Sequence, residues 1–167
     1  MGEPVRFAVL GALMLVSKLA MEWAPNIHPL ALFIAAFTLV YRGRALIPLY
    51  IFVLLDGIVA GFHIWWLPNL YIWLPLWGAF MLLGRFDIKK KVAIPLYMLV
   101  CAFHGMSFGT LHAPTEALLW GLSFKATLAW IAYGLPYDAI HAAGDFAAAA
   151  LILPLVALLK KLERGTV

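Results

Sequence analysis

The chain has 167 residues, of which 65% are hydrophobic and only 12% charged, and its mean hydropathy is +0.97. A water-soluble globular domain is closer to half apolar and a quarter charged. This composition therefore excludes a soluble enzyme domain and indicates an integral membrane protein. Since one crossing takes about 20 mainly apolar residues, the chain has room for about six or seven spans. We expect a single polytopic membrane domain over residues 1–167, with no separate soluble domain.

The positions of the basic residues are more informative than the net charge of +4. Ten of the twelve Lys and Arg residues fall at position 6 and within 42–44, 85–91 and 160–164. Cytoplasmic loops of membrane proteins are enriched in Lys and Arg. We therefore expect these four basic clusters on the cytoplasmic side, and nothing in their pattern indicates a nucleic-acid partner.

Hydrophobic runs separated by proline, glycine and charge predict the elements in chain order. The predicted spans are residues 5–20, 30–41, 45–62, 68–83, 92–111 and 137–159. The stretch 113–135 has a polar residue about every third or fourth position, which indicates an amphipathic or re-entrant helix on the outer face. We thus predict an all-α bundle of six transmembrane helices with both termini cytoplasmic. A seventh crossing would place the C-terminal basic cluster outside, against the charge rule.

Ionisable side chains within these spans are the candidate functional residues. Such a group at mid-bilayer costs roughly 2.5–3.5 kcal/mol on insertion scales, so it faces the bundle interior, a cavity or another polar group. Asp56 lies within the third span, and His63 follows two turns later. In the last span His141 is three residues from Asp138 and four from Asp145. The three therefore share one helix face.

Three interpretations of these polar groups stay open. His and carboxylate at this spacing can chelate a metal, but the chain lacks HExxH, paired cysteines and a repeated ExxH. We therefore predict no metal and no other cofactor. The groups can also serve as polar contacts between helices. The interpretation that we favour is a polar cavity near the outer face.

Five stretches of the sequence together carry a resemblance to a known family. They are AVLGA at 8–12, PNIHP at 25–29, YIFVLLDG at 50–57, GFHIWW at 61–66 and WIAYGLPYDAIHAAGD at 130–145. In this order the stretches resemble the substrate-binding S components of energy-coupling factor (ECF) transporters, and the length and predicted topology match as well. The stretch 130–145 is the most specific part, and the AxxxA motif the least.

The resemblance implies a subunit that captures a vitamin or related micronutrient at the outer face of a prokaryotic plasma membrane. Such a subunit associates with a membrane-embedded coupling (T) subunit and, through it, with two cytoplasmic ATPases. The AxxxA face of the family packs against the coupling subunit, so Ala8 and Ala12 are the implied contacts. The chain has no Walker A loop, so ATP hydrolysis is expected on the partners and the chain is not expected to be an enzyme.

The predicted ligand contacts are polar and aromatic residues near the outer ends of the spans. They are Asp56, His63, Trp66, Trp130, Asp138, His141 and Asp145. Indole rings suit a flat heteroaromatic ring, and carboxylates suit amino or cationic groups. A ring-bearing, neutral-to-cationic metabolite is therefore expected. The alternative functions are an intramembrane metal-dependent or acid–base enzyme and a solitary ion-coupled carrier.

Overall fold

The computed structural model describes residues 2–165, which fold into helices with no strand. The helices are α1 (Glu3–Ala20), α2 (Leu30–Tyr41), α3 (Leu46–Ala60), α4 (Leu74–Leu83), α5 (Lys90–Met106), α6 (Phe108–Trp120), α7 (Phe124–Ala149) and α8 (Ile152–Arg164). Two 3₁₀ segments, Arg42–Ala45 and Ile64–Leu70, lead towards α3 and α4. The prediction of an all-α protein is confirmed.

Several of these helices have the character of membrane spans. Within residues 2–165, the stretches Leu30–Ala60, Ile64–Leu83 and Lys90–Trp120 are long and apolar enough to cross a bilayer. The pair α7 and α8, bent by 50° at the break between them, provides a fourth if it counts as one span. Length and composition of the helices therefore support a multi-pass membrane protein.

The predicted boundaries are wrong in the middle and near the end of the chain. Residues 68–83 are not one uninterrupted α-helix, because Pro68 belongs to a 3₁₀ segment and α4 begins only at Leu74, although Ile64–Leu83 as a whole is long and apolar enough to cross a bilayer. The stretch 113–135 is not one element either. Gly121, with a left-handed φ of 61°, ends α6, and the Ser123 side chain accepts the Ala126 N–H to start α7. Both are ordinary helix-end residues.

The last predicted span is also wrong in its beginning. The sequence interpretation ended the outer segment at Leu135 and began the last span at Tyr137, on either side of a proline. In the structure Pro136 lies inside α7, which continues for 26 residues, and the break comes later, between Ala149 and Ile152. Proline reduces the stability of a helix interior without always ending the helix.

The first and last helices contact each other at one end of the bundle. Arg6 of α1 forms an ion pair with Glu163 of α8, and the hydroxyl of Tyr41 donates to the same carboxylate at 2.9 Å. Arg44, in the turn after α2, pairs with Glu3 at 3.2 Å. These contacts bring the N-terminal part of α1, the turn after α2 and the C-terminal part of α8 together at one end of the bundle.

Glycines allow α7 to pack closely against α5 and α6. A Cβ added at Gly105 would lie 2.9 Å from the backbone N and Cα of Ala142, and one at Gly109 would lie 2.7 Å from Asp138 Oδ2. Small residues four positions apart let helices approach each other in this way. The face of α7 that carries its polar side chains is therefore held against the two glycines.

We expect Gly105→Ala to destabilise the protein by about 1–3 kcal/mol, because the new methyl group would overlap the α7 backbone. The measurement is thermal unfolding in detergent, followed by circular dichroism. Gly134→Ala is the matched control, since Gly134 is a helical glycine of α7 with nothing within 4 Å of an added Cβ. Equal melting temperatures for the two variants would contradict the packing described for Gly105.

Candidate functional site

A cavity of about 280 Å³ lies at the end of the bundle remote from the Arg6–Glu163 contact. Lys18, which lines it, is twelve residues further along α1 than Arg6, or about 18 Å along the helix axis. The lining residues combine polar groups with aromatic rings. They are Lys18, Asn26, His28, Leu30, Phe52, Asp56, Trp65, Asn69, Trp73, Phe108 and His112.

An ion pair between α1 and α3 forms part of the cavity wall. Lys18 Nζ lies 2.5 Å from Asp56 Oδ1, and the Asp56 side chain is only 3% exposed. The two helices meet closely further down, where a Cβ added at Gly11 would lie 2.9 Å from the carbonyl oxygen of Pro48. Asp56, a predicted ligand contact, therefore lines the cavity and is already paired with a cation.

Three aromatic or imidazole residues predicted as ligand contacts do not belong to the cavity lining among the described residues. The Trp66 indole donates its N–H to the carbonyl of Val53 in α3 at 2.8 Å and so holds the 3₁₀ segment against that helix. His63 is exposed, with its ring 6.2 Å from the neighbouring indole of Trp65. Trp130 is 37% exposed on α7. Trp65, the neighbour of Trp66 in the chain, does line the cavity.

Asp138 contributes to helix packing. Both of its carboxylate oxygens accept the backbone N–H of Gly109 at 3.1 Å, and the residue is 6% exposed. The contact joins α6 to α7, which is the interhelical role that the sequence left open as an alternative. In the structure Asp138 is therefore occupied by the backbone and lies outside the lining of the cavity.

The other two polar residues of α7 form a cluster with a residue from a distant turn. Candidate metal-binding atoms of His28, His141 and Asp145 all lie within 4.8 Å of one another. The imidazole rings of His28 and His141 meet edge to face, with centroids 4.7 Å apart and an interplanar angle of 77°. His141 Nε2 lies 3.5 Å from Asp145 Oδ2, and these residues are 3% and 1% exposed. We call these three residues the His–His–Asp cluster.

The polar atoms of this cluster are not satisfied by the protein. Within residues 2–165, no hydrogen-bond partner reaches His28 Nδ1, His141 Nε2 or either carboxylate oxygen of Asp145. Buried polar atoms in proteins nearly always have partners, and each one left without costs about 1–3 kcal/mol. Unpartnered polar atoms on three residues whose candidate ligand atoms lie within 4.8 Å of one another therefore indicate a binding site for a group that supplies the missing interactions.

His28 has the electronic state that a ligand-binding imidazole needs. It lies in the turn between α1 and α2, outside the membrane-spanning stretches. Burial lowers the pKa of His28 to about 4, so the ring is neutral at neutral pH. A neutral imidazole keeps one nitrogen lone pair available for a metal or a hydrogen-bond donor.

Sequence reasoning grouped the α7 residues correctly but missed their partners. It gave Lys18 no role and quoted His28 only within the PNIHP stretch. The signal that could have singled out His28 is its position between Pro25 and Pro29 in the turn before α2. Proline restricts the backbone angles of itself and of the preceding residue, so the His28 backbone has few conformations available. No periodicity could have connected it to α7.

The fold and the site together define a class: an all-α protein with helices of membrane-spanning character, a polar cavity at one end and a buried His–His–Asp cluster. No protein-family model, curated protein or solved structure matches the chain. The likeness to ECF S components thus rests on the sequence stretches alone.

We expect Lys18→Met to destabilise the protein by about 2 kcal/mol, because it leaves the Asp56 carboxylate buried without a cation. This loss is smaller than the roughly 3–5 kcal/mol that removal of one partner costs in a fully buried ion pair, because Lys18 is partly exposed. Adding Asp56→Asn should recover part of the loss. Thermal unfolding in detergent measures all variants. Arg44→Met, which breaks an exposed pair, is the control and should change stability by less than about 1 kcal/mol. Equal losses in Lys18→Met and Arg44→Met would count against the buried pair.

Proposed function

We propose that the chain is the substrate-capture subunit of an ECF-type importer, binding a vitamin-like metabolite at the outer face of a prokaryotic plasma membrane. The observation that carries the proposal is the cavity lined by Lys18, Asp56 and Trp65, remote from the end where Arg6 and Glu163 pair. With the basic clusters on the cytoplasmic side, this cavity faces outwards. A capture subunit must bind its ligand on that side.

The cavity chemistry supports a small, ring-bearing ligand. Its volume of about 280 Å³ is just below the usual range of about 300–1,000 Å³ for small-molecule sites. Trp65 and Phe108 offer apolar ring faces, and the amides of Asn26 and Asn69 offer donors and acceptors. Because Lys18 neutralises Asp56, we expect a neutral ligand to be preferred over a strongly charged one.

The face of α1 that lies on the surface of the bundle supports the proposed contact with a coupling subunit. Ala8 is exposed and Ala12 half-buried, and the flanking Val5 and Val9 are 54% and 52% exposed. Gly11, by contrast, faces α3. The alanines thus form a smooth apolar strip against which another transmembrane helix can pack closely.

A second candidate function is an intramembrane metal-dependent enzyme. The observation that favours it is the His–His–Asp cluster, because two imidazoles and one carboxylate are a ligand set of catalytic metal sites. Turnover of a lipid or small substrate by the purified chain would favour this alternative. Recovery of the bound compound unchanged would favour capture.

We expect a small molecule to co-purify with the chain and to be identified by mass spectrometry. Trp65→Ala should weaken its binding by about tenfold, corresponding to about 1.4 kcal/mol of lost ring contact. Titration of the identified compound by calorimetry measures the change. Trp130→Ala is the matched control. If the cavity is the binding site, this variant should keep the affinity for the compound; if Trp130 contacts the ligand, as the sequence predicted, its affinity should fall. Full affinity in Trp65→Ala would remove the cavity as the binding site.

We expect Ala8→Trp with Ala12→Trp to block assembly with a coupling subunit and its ATPases, because two indoles would prevent close helix approach. Co-purification with a tagged coupling subunit measures assembly. Ligand binding by the solitary double variant should be unchanged. Leu99→Trp, which enlarges a residue 60% exposed on α5, is the control and should assemble normally. Undiminished assembly of the double variant would disprove the α1 contact.

A further inference from the structure

We propose that His28, His141 and Asp145 bind one divalent transition-metal ion, of the class that includes Zn²⁺, Ni²⁺ and Co²⁺. The inference goes beyond the capture function and does not depend on it, since all three ligands belong to this chain. It rests on convergence, burial and the absence of other partners for the polar atoms within residues 2–165.

The donor set selects the class of metal. Two imidazole nitrogens and one carboxylate oxygen suit Zn²⁺, Ni²⁺, Co²⁺ and Fe²⁺, whereas Mg²⁺ and Ca²⁺ prefer ligand shells of oxygen alone. The three residues offer no thiolate, which is the donor that favours softer ions such as Cu⁺. A three-ligand protein site also leaves at least one coordination position for water or another molecule.

The candidate ligand atoms lie close to the spacing that a metal site requires. With metal–ligand bonds of about 2.1 Å, ligand atoms of a tetrahedral site lie about 3.4 Å apart. His141 Nε2 and Asp145 Oδ2 are already 3.5 Å apart, on successive turns of α7. The cluster as a whole extends to 4.8 Å. The remaining contraction from 4.8 Å to about 3.4 Å is about 1.4 Å, and His28, in the turn before α2, is the ligand placed to make it.

Charge favours a cation at this point. Asp145 is 1% exposed, and its carboxylate has no hydrogen-bond partner among residues 2–165. A buried carboxylate needs a cation beside it, and His141, 3.5 Å away, supplies one only when it is protonated. His141 lies one turn before Asp145 in α7. A histidine that binds a metal is neutral and donates a nitrogen lone pair to the ion. A divalent ion would thus neutralise the Asp145 carboxylate. It would also bind the nitrogen and oxygen atoms of the cluster that lack hydrogen-bond partners.

Access and orientation also fit an ion-binding role. His28 lines the outer cavity as well as the His–His–Asp cluster, so an ion entering the cavity reaches its first ligand directly. The ring of Phe108 packs against His141 with centroids 4.4 Å apart. This contact helps to fix the imidazole orientation, as supporting residues do around metal ligands.

The test is titration of the full-length chain, purified in detergent and treated with a chelator, with Zn²⁺, Ni²⁺ and Co²⁺. Calorimetry and elemental analysis should give one ion per chain, and excess Mg²⁺ should not compete. His141→Ala and Asp145→Asn should each weaken binding by at least about tenfold, because even loss of a supporting residue costs roughly 10–100-fold. His63→Ala, which removes an exposed histidine outside the cluster, should keep the affinity of the unmodified chain.

Binding of less than one ion per chain, or binding that survives both cluster variants, would overturn the proposal. Should the variants not fold, the Co²⁺ spectrum of the unmodified chain decides: intense visible bands of a low-coordinate nitrogen and oxygen site support it, and the weak spectrum of hydrated Co²⁺ overturns it. Metal binding without assembly onto a coupling subunit would leave this inference standing and refute the capture function. Assembly and ligand capture without metal binding would refute the metal site and leave the capture function standing.

Discussion

The close approach of α7 to α5 and α6 is the constraint on which the rest of the structure depends. A helix that carries Asp138, His141 and Asp145 cannot face lipid at that surface without a large cost for each group. Gly105 and Gly109 remove the side chains that would keep the polar face away, and the backbone of Gly109 occupies one of the carboxylates. Burial of the remaining two polar groups follows from this packing, and with it the need for a partner that the neighbouring helices do not provide.

The end of the bundle remote from the Arg6–Glu163 contact has two polar environments of different kinds. In one, Lys18 and Asp56 neutralise each other at the wall of a cavity. In the other, imidazole and carboxylate atoms converge without hydrogen bonds. The first suits a polar organic molecule that brings its own hydrogen-bonding groups. The second suits a compact cation. His28 belongs to both, so its ring is where the two environments meet.

Sequence patterns predicted the parts of the fold that depend on interactions between residues close together in the chain. The helix at 30–41 matches α2 in both bounds, because Pro29 and the Arg42–Ala45 turn limit an uninterrupted apolar run. Helical periodicity likewise placed His141 and Asp145 on one face. Pro136 misled the prediction, since tertiary packing of α7 outweighs the local cost of proline.

Long-range pairings could not be read in this way. The ion pair of Lys18 with Asp56 joins residues 38 positions apart, and the Gly109–Asp138 contact spans 29. No sequence period connects such positions, so the cavity and the cluster required the three-dimensional structure. The contact of Arg6 with Glu163 is longer still, at a separation of 157 residues, and it has a kinetic consequence. Because α3 is synthesised long before α8, the Lys18–Asp56 pair can form while the Arg6–Glu163 contact cannot. The closing of this end of the bundle is therefore a late event with high contact order.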